Sequence, residues 1–259
     1  MKRRLERLDT EKGRAYVLRK DDGTINFLPS VTTVLSQLTM AKVKDLEEEI
    51  GKEQFAAISD RAAKRGTCMH TFLENMVLCL KKGGSLDTCL LYTQRKSISD
   101  LSENFAKDSI DTGRSLFYNI YHEGLLQNVK KVLFSEAFLY SENHLYAGAS
   151  DFGFLSNDNK VVIVDFKTAS GLRDEETVHK YEVQVGAYAQ AFSEMTRKRV
   201  DIGEIWISHP GGIQLVSIGG EDLENKKEEF KALCKKFHEG WESEFFEDKY
   251  NQLYGKSIE

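Results

Sequence analysis

The chain has 259 residues, 41% hydrophobic and 30% charged, which is ordinary for a globular protein and long enough for one sizeable core. No stretch approaches the roughly 20 apolar residues that a membrane-spanning helix needs. The net charge of -5 excludes a protein that coats nucleic acid indiscriminately, because such binding requires an excess of Lys and Arg to neutralise phosphates. Contact with nucleic acid would therefore use local basic patches.

The N-terminal segment MKRRLERLDTEKG contains acidic residues among its basic ones, and no apolar run follows it. It fits neither a secretory signal nor an acid-poor transit peptide, so we expect a cytoplasmic protein. The cysteines show no CxxC pairing and fall in predicted helices, which favours reduced, buried thiols over a zinc site, an iron–sulfur cluster or a disulfide framework. They are Cys68, Cys79, Cys89 and Cys234.

The first 130 residues are predicted to combine a hairpin with a helical layer. The hairpin is expected to lie outside the main sheet. The predicted elements are strands at 14–19 and 24–28 around the turn Asp22-Gly23, a helix from Ser30 to about Gln37, and helical stretches at 41–83, broken near Gly51 and Ser59, and 85–127.

After about residue 130, the spacing of apolar residues changes from that of a helix to the alternation typical of strands. The predicted elements are strands at 132–140, 145–155 and 160–168, a helix at 176–195, strands at 199–209 and 214–218, and a charged helix at 221–245. We predict an α/β fold whose central mixed sheet is flanked by helices. A single domain is expected over 1–259, with the hairpin and helical layer in 1–130 and the sheet core and last helix in 131–259.

Two aspartates and a lysine fall on two consecutive predicted strands. The turn-forming residues 156–159 lie midway between Asp151 and Asp165, so a hairpin would place these aspartates nearly opposite each other. Because side chains alternate along a strand, Asp165 and Lys167 point to one face and their apolar neighbours to the other. The sequence therefore predicts that three charged groups converge on one patch of sheet.

Neighbouring carboxylates repel each other, and a divalent cation compensates that repulsion directly. Mg²⁺ is the candidate, with Mn²⁺ as a substitute, because it prefers hard oxygen ligands and keeps bound waters. Our hypothesis is that Asp151 and Asp165 hold the metal, which polarises a scissile phosphate and activates a water. Lys167 would orient that water or offset negative charge. Taken alone, the pattern also fits a solvent-facing hairpin with a salt bridge.

Gln184 and Tyr188 lie one turn apart on the helix that follows the aspartate–lysine strand, so they share a helix face. Such a pair alone is more often a helix edge with a buried ring. The ordered motifs G-x-x-D (Gly148, Asp151), D-x-K and Q-x-x-x-Y resemble the signature of RecB-like nucleases of the PD-(D/E)XK superfamily. This resemblance implies a metal-dependent nuclease in which Gln184 orders the site or touches DNA and Tyr188 supports it.

An upstream helix carries the motif R-G-T-x-x-H-x-x-x-E, with His70 and Glu74 one turn apart. A neutral imidazole can complete a metal shell, and a carboxylate beside it can orient a ligand or water. A lone histidine on an amphipathic helix is more often a core or boundary residue. The match to the histidine helix of RecB-like nucleases implies that His70 joins Asp151 and Asp165 as a metal ligand.

Three further segments, 28–35, 65–70 and 146–152, are similar to the mitochondrial genome maintenance exonuclease family and its phage-encoded relatives. The similarity extends over about residues 28–192 and implies exonuclease action on free ends of single-stranded DNA or flaps. Because no targeting segment is indicated, we expect a bacterial or phage origin. Relatives with an iron–sulfur cluster carry several late cysteines, whereas only Cys234 lies late here, so no cluster is expected. The chain also lacks G-x-x-x-x-G-K-[ST], so no ATP motor is expected.

Other residues near these motifs are candidates for DNA binding or for outer positions around the metal. Arg61, Lys64 and Arg65 precede His70 on the same predicted helix and could form an electrostatic funnel, although solvated charge explains them equally well. Ser30 is either a phosphate contact or a helix cap. Glu136, on the preceding strand, is a candidate outer carboxylate.

Three functions remain open from the sequence. The first is an exonuclease acting on DNA in replication, recombination or repair, with replication or recombination proteins as partners and no membrane association. The second is an endonuclease, or a nuclease that resects double-strand ends. The third is a non-catalytic module that binds nucleic acid, against which the intact set of charged motif residues argues.

Overall fold

The computed structural model describes residues 4–254 and shows a mixed α/β fold with two β-sheets. The N-terminal sheet contains β1 (Arg4–Thr10), β2 (Gly13–Arg19) and β3 (Ile25–Pro29). The central sheet contains β4 (Val129–Ser141), β5 (Tyr146–Ser156), β6 (Val161–Thr168), β7 (Ile202–His209) and β8 (Gly212–Gly219). The helices are α1 (Val31–Ser36), α2 (Met40–Ile50), α3 (Lys52–Lys81), α4 (Leu86–Leu101), α5 (Lys107–His122), α6 (Glu175–Thr196), α7 (Gly220–His238) and α8 (Ser243–Tyr254), with a 3-10 turn at Leu125–Asn128.

The central sheet has the strand order β4-β5-β6-β7-β8. Its neighbours are antiparallel except for β6 and β7, which run parallel. Parallel neighbours require a crossover connection, and α6 provides it. Helices cover both faces of β6, which explains its run of apolar residues, VVIV. The predicted α/β class, with a mixed central sheet flanked by helices, is confirmed.

Two hydrophobic cores lie on opposite faces of the central sheet. The first contains Phe72 of α3, Phe117 of α5 and Val164 of β6. The second contains Ile163 of β6 together with side chains of α1, α6 and α7. Consecutive β6 residues thus enter different cores, as the alternation of side chains along a strand requires. This places Asp165 on the face covered by α6.

The N-terminal sheet has one strand more than the sequence indicated. The predicted hairpin is present as β2 and β3, and β1 pairs antiparallel with β2 along its whole length. The segment RLERLDT has its two leucines three residues apart, a spacing that does not indicate a strand. Leu8 is nevertheless buried, because α8 packs against this sheet through Phe246 and Tyr250. Tertiary packing therefore decides the structure of β1.

Two helix boundaries also differ from the prediction. The helix predicted at 221–245 is in fact two helices, because α7 ends at His238 and α8 begins at Ser243. The intervening Trp241 stacks on Phe246 with ring centroids 4.2 Å apart, which turns the chain toward the N-terminal sheet. A break near Ser59 is absent, since α3 continues through that position.

The expectation of four reduced thiols is wrong for two of the cysteines. Cys79, near the end of α3, and Cys89, in α4, form a disulfide, whereas Cys68 and Cys234 are free and buried. The pair is 10 residues apart in sequence, and CxxC spacing rules do not detect it. The turn between the helices folds α4 back along α3 and brings the two sulfurs together.

Between residues 4 and 254, none of the helices has both the length and the apolar character that crossing a bilayer takes.

Candidate active site and metal centre

The β5–β6 hairpin brings the two predicted aspartates together. Phe152 pairs with Val164, and continuing that register by one residue sets Asp151 opposite Asp165, which confirms the predicted hairpin register. The Asp151 carboxylate reaches across to β6, where its Oδ2 accepts a hydrogen bond of 2.6 Å from the backbone N–H of Phe166. Asp151 is therefore fixed in orientation against the neighbouring strand.

Asp165 is buried and forms an ion pair with Lys167 on the same face of β6. Burial raises the pKa of Asp165 to about 6, although the positive charge of Lys167 opposes the shift. Burial alone would lower the pKa of Lys167, but the negative charges of Asp165 and Asp151 outweigh it, and the pKa is raised. The ammonium of Lys167 also lies 5.1 Å from the ring centroid of Tyr181. Lys167 is thus held charged beside Asp165.

Gln184 and Tyr188 meet Asp165 from α6. The side-chain amide of Gln184 donates one hydrogen bond of 3.0 Å to Asp165 Oδ1 and another of 3.1 Å to the Tyr188 hydroxyl. Gln184 and Tyr188 are both buried. The amide thus supports a carboxylate that would otherwise be poorly solvated, and the tyrosine supports the amide.

Gly148 on β5 provides the space for the Tyr188 ring. A Cβ at this position would lie 2.8 Å from Tyr188 Cε1 and 3.2 Å from Val31 Cγ2. We expect Gly148→Ala to lower the free energy of unfolding by roughly 1–3 kcal/mol, as overpacking of a core does. Urea denaturation measures the loss. Gly171→Ala is the matched control, because its added Cβ meets nothing within 4 Å, and an equal loss in both variants would contradict this role for Gly148.

His70 approaches from α3 on the other side of the sheet. Its Nε2 lies 3.1 Å from the carbonyl oxygen of Phe166, and its Nδ1 lies 3.7 Å from Asp151 Oδ1. Its ring also packs edge-to-face on Phe166 with centroids 5.8 Å apart. The backbone of Phe166 therefore links the histidine helix to the aspartate hairpin, and the imidazole points a nitrogen at Asp151.

Glu136 of β4 completes a group of three potential metal ligands. One ligand atom from each of His70, Glu136 and Asp151 lies within 4.8 Å of the others. Glu136 has φ 48°, in the left-handed region that costs a non-glycine residue about 1–2 kcal/mol. Strain of this kind clusters at functional sites. The ligand set predicted from sequence contained Asp165 in place of Glu136, whereas here Asp165 pairs with Lys167.

The carboxyl of Glu136 lies among other acids. Although the residue as a whole is exposed, local burial raises its pKa to about 8, and the negative charges of Asp151, Glu74 and Asp165 add to the shift. Glu74, predicted as an outer carboxylate, therefore lies close enough for its negative charge to raise the pKa of Glu136. A cation bound by this acidic group would remove the repulsion.

The raised pKa of Glu136 predicts how the metal-free protein responds to pH. Between pH 4.5, the usual value for a glutamate, and about 8, folded Glu136 holds a proton that the unfolded chain has lost. The free energy of unfolding should therefore fall as pH rises through this interval. Thermal unfolding in EDTA measures the trend, which Glu136→Gln should flatten. A trend of equal slope in that variant would contradict the assignment.

The basic residues predicted on α3 divide into two kinds. Arg61 is exposed, and Lys64 is exposed and paired with Asp60 at 2.7 Å. Arg65 is half-buried, and burial lowers its pKa, with a further contribution from the positive charge of Arg173. Arg65 thus differs from a solvated surface charge.

Ser30 lies inside the fold. Its hydroxyl is buried and accepts a hydrogen bond of 2.9 Å from the Thr33 backbone N–H, so it caps α1. The hydroxyl of Thr32 lies 2.9 Å from that of Ser30, and Thr32 is exposed. In segment 28–35, the exposed residue of this hydroxyl pair is therefore Thr32, and Ser30 is the helix cap.

A sequence profile of the PD-(D/E)XK nuclease superfamily matches residues 44–256, so the chain belongs to this superfamily. The superfamily consists of nucleases that use divalent metals, and the nitrogen and carboxylate donors of His70, Glu136 and Asp151 fit such an ion.

Two solved structures resemble the fold. A protein from Eubacterium rectale, named "Putative exonuclease", is 13% identical, with a TM-score of 0.43 over 65% of this chain and 64% of that one. The chain thus spans under two thirds of that structure. A second structure, SSO0001, is 14% identical, with a TM-score of 0.34 over 60% of this chain and 71% of that one. No curated protein matches the chain significantly.

Proposed function

We propose that the protein is a metal-dependent exonuclease that hydrolyses DNA from free ends, acting on single strands or flaps. The observation that supports this chemistry is the meeting of the ligand group His70, Glu136 and Asp151 with the buried Asp165–Lys167 pair at one end of β6. In metal-dependent phosphodiester hydrolysis, the ion and a fixed positive charge beside it both stabilise the negative charge that develops on the phosphate.

The metal we propose is Mg²⁺, for which Mn²⁺ should substitute. His70, Asp151 and Asp165 are proposed as ligands from the sequence motifs, and Glu136 is added by its position. When bound, the ion supplies Lewis-acid chemistry toward the phosphate and a more acidic water.

Each remaining catalytic role follows from a contact. Lys167, kept charged by Asp165, would offset the negative charge that develops on the phosphoryl oxygens. Gln184 would act as a positioning residue by holding Asp165 through its amide, and Tyr188 would position Gln184. The hydrogen bond from the Phe166 backbone to Asp151 keeps the two carboxylates on facing strands.

The finer substrate assignment rests on the resemblance of segments 28–35, 65–70 and 146–152 to the mitochondrial genome maintenance exonuclease and its phage relatives. From it we take free DNA ends as the substrate and replication, recombination or repair as the process. We also propose that residues 1–259 form one nuclease domain.

The test uses end-labelled linear single-stranded DNA, with a covalently closed single-stranded circle beside it. We expect stepwise shortening of the linear strand in Mg²⁺, no cutting of the circle, and no reaction in EDTA. Duplexes with blunt or overhanging ends extend the comparison to double-strand ends.

Other outcomes would select the alternative functions. Cutting of the circle would indicate an endonuclease, and preferential degradation of duplex ends would indicate a double-strand resecting enzyme. Metal-dependent DNA binding without cleavage of any substrate would indicate a non-catalytic module and overturn the proposal.

A further inference from the structure

Two arginines lie near each other beside the C-terminal end of β6. Arg65 belongs to α3, which contacts this end of the strand closely: a Cβ on Gly66 would lie 3.6 Å from Thr168 Oγ1. Arg173 lies in the loop that connects β6 to α6. Burial, followed by the positive charge of Arg173, lowers the pKa of Arg65, as expected for two neighbouring cations.

Neither guanidinium forms an ion pair within residues 4–254. The Nε atoms of Arg65 and Arg173 are both buried and have no hydrogen-bond partner. The nearest carboxylate to Arg173 along the chain, that of Asp174, caps α6 by accepting from the Thr177 N–H, and this hydrogen bond, followed by the charges of Lys42 and Arg173, lowers its pKa. A buried Nε–H without a hydrogen-bond partner costs free energy, so the arrangement is explained best if an anion accepts from both guanidinium groups.

The position of Arg173 is fixed by the sheet. The backbone N–H of Arg173 donates to Gln214 Oε1 at 2.8 Å, and Gln214 Nε2 donates back to the Arg173 carbonyl oxygen at 3.2 Å. This double hydrogen bond anchors the loop to β8. A fixed backbone lowers the entropic cost of ordering the guanidinium around a ligand.

A third cation extends the basic region toward the catalytic lysine. Lys180 is half-buried, and its Nζ donates to Thr39 Oγ1 at 2.8 Å. Burial and the charge of Lys167 lower its pKa, so the two lysines are neighbours. The Asp165–Lys167 pair thus stands between an acidic group, which includes Glu136, and a basic group. A strand with one phosphate at the acidic group would present another phosphate to the basic one.

We propose that Arg65 and Arg173 form a phosphate-binding site that anchors the substrate strand at a phosphate other than the one being hydrolysed. The assignment of the ligand to DNA rests on the proposed nuclease function, whereas phosphate binding does not. A guanidinium offers a planar set of donors that matches two phosphate oxygens, and two such groups can hold one phosphate from both sides.

The first experiment measures phosphate binding without any cleavage. Thermal unfolding is recorded in inorganic phosphate and in chloride of equal ionic strength for the wild type, Arg65→Gln and Arg173→Gln. We expect phosphate to raise the Tm of the wild type and of Arg95→Gln, which replaces an exposed arginine on α4, but not of the other two variants. In chloride, both variants should unfold at or above the wild-type Tm, because each removes like-charge repulsion.

Equal phosphate shifts in the wild type and both variants would overturn the site. Arg173→Lys provides a check that does not depend on the glutamine variants folding, because it keeps the charge but loses the planar donors. It should retain less than half of the phosphate shift. If phosphate raised the Tm of Arg173→Lys as much as that of the wild type, the stabilisation would come from nonspecific charge screening and not from a guanidinium site.

The second experiment identifies the source of the phosphate. Oligonucleotide binding is measured by anisotropy in Ca²⁺, with 5′-phosphate, 3′-phosphate or hydroxyl ends. We expect Arg65→Gln and Arg173→Gln to weaken binding by about 10- to 100-fold and to reduce the slope of log affinity against log salt by about 0.7. If the variants lose the same affinity for oligonucleotides with all three kinds of end, the arginines bind an internal phosphate. If they lose affinity only for oligonucleotides with one kind of phosphorylated end, the arginines bind that terminal phosphate.

Affinity unchanged in both variants would overturn the assignment to DNA. The two proposals fail in different ways. Cleavage with unchanged affinity in the variants would leave the nuclease function standing and remove the arginine site. Arginine-dependent binding of phosphate and oligonucleotide without cleavage would leave the arginine site standing and overturn the nuclease function.

Discussion

Lys167→Ala should lower the single-turnover cleavage rate by about 10²- to 10³-fold, the usual effect of removing one group that stabilises transition-state charge. The ammonium of Lys167 is fixed by its ion pair with buried Asp165 and lies 5.1 Å from the Tyr181 ring centroid, so no solvent cation replaces it in the same geometry. Without it, the raised pKa of Asp165 should rise further, which would also weaken metal binding. Quenched-flow cleavage of labelled DNA in Mg²⁺ measures the loss.

Two further variants separate chemistry from folding. Lys160→Ala changes a lysine of the same hairpin that is exposed and pairs with Asp158 at 3.0 Å, and it should cleave at the wild-type rate. The double variant Asp165→Asn/Lys167→Met removes both charges of the buried pair together and should unfold at a higher Tm than Lys167→Ala, yet remain inactive. A wild-type rate in Lys167→Ala would exclude a catalytic role for this lysine.

Asp151→Asn should weaken metal binding by at least about 100-fold, since even groups that only orient metal ligands contribute 10- to 100-fold. Asparagine keeps an oxygen that can accept the hydrogen bond from the Phe166 N–H, so the β5–β6 contact survives while the negative charge is lost. The loss of charge also removes one source of repulsion on Glu136, whose pKa should fall. Calorimetric titration with Mn²⁺ measures the affinity.

Asp158→Asn is the control for this experiment. Asp158 lies in the turn of the same hairpin, exposed and paired with Lys160, so its replacement should leave metal affinity unchanged. Equal affinity in the wild type and Asp151→Asn would show that the metal is held elsewhere. A Tm for Asp151→Asn at or above that of the wild type in EDTA would agree with relief of carboxylate repulsion.

The sequence predicted the central sheet because its strands carry local signals. The turn at 156–159 fixes the hairpin register, and that register alone sets Asp151 opposite Asp165. The helical spacing of Gln184 and Tyr188 likewise requires them to share a face, and both reach Asp165 as a connected pair. These relations involve residues close in sequence, where periodicity and turn chemistry are sufficient.

The features that the sequence did not predict depend on contacts between distant segments. The sequence indicates Glu136 only as an outer carboxylate, since no pattern shows that its backbone has a positive φ and that its side chain joins His70 and Asp151. Arg173 carries no motif, and its approach to Arg65 depends on how α3 crosses the end of β6. The Cys79–Cys89 disulfide requires the packing of α4 on α3.

The bridge between His70 and the Phe166 carbonyl joins residues 96 positions apart, whereas Gln184 and Asp165 are separated by only 19. During refolding, the second contact can form early between neighbouring elements, while the first must wait until α3 has docked across the sheet. A refolding chain in which α3 has not yet docked would then hold Asp165 and Gln184 together while His70 is still apart from Asp151. The proposed metal site, which needs His70 beside Asp151 and Glu136, would therefore form only when α3 packs across the sheet.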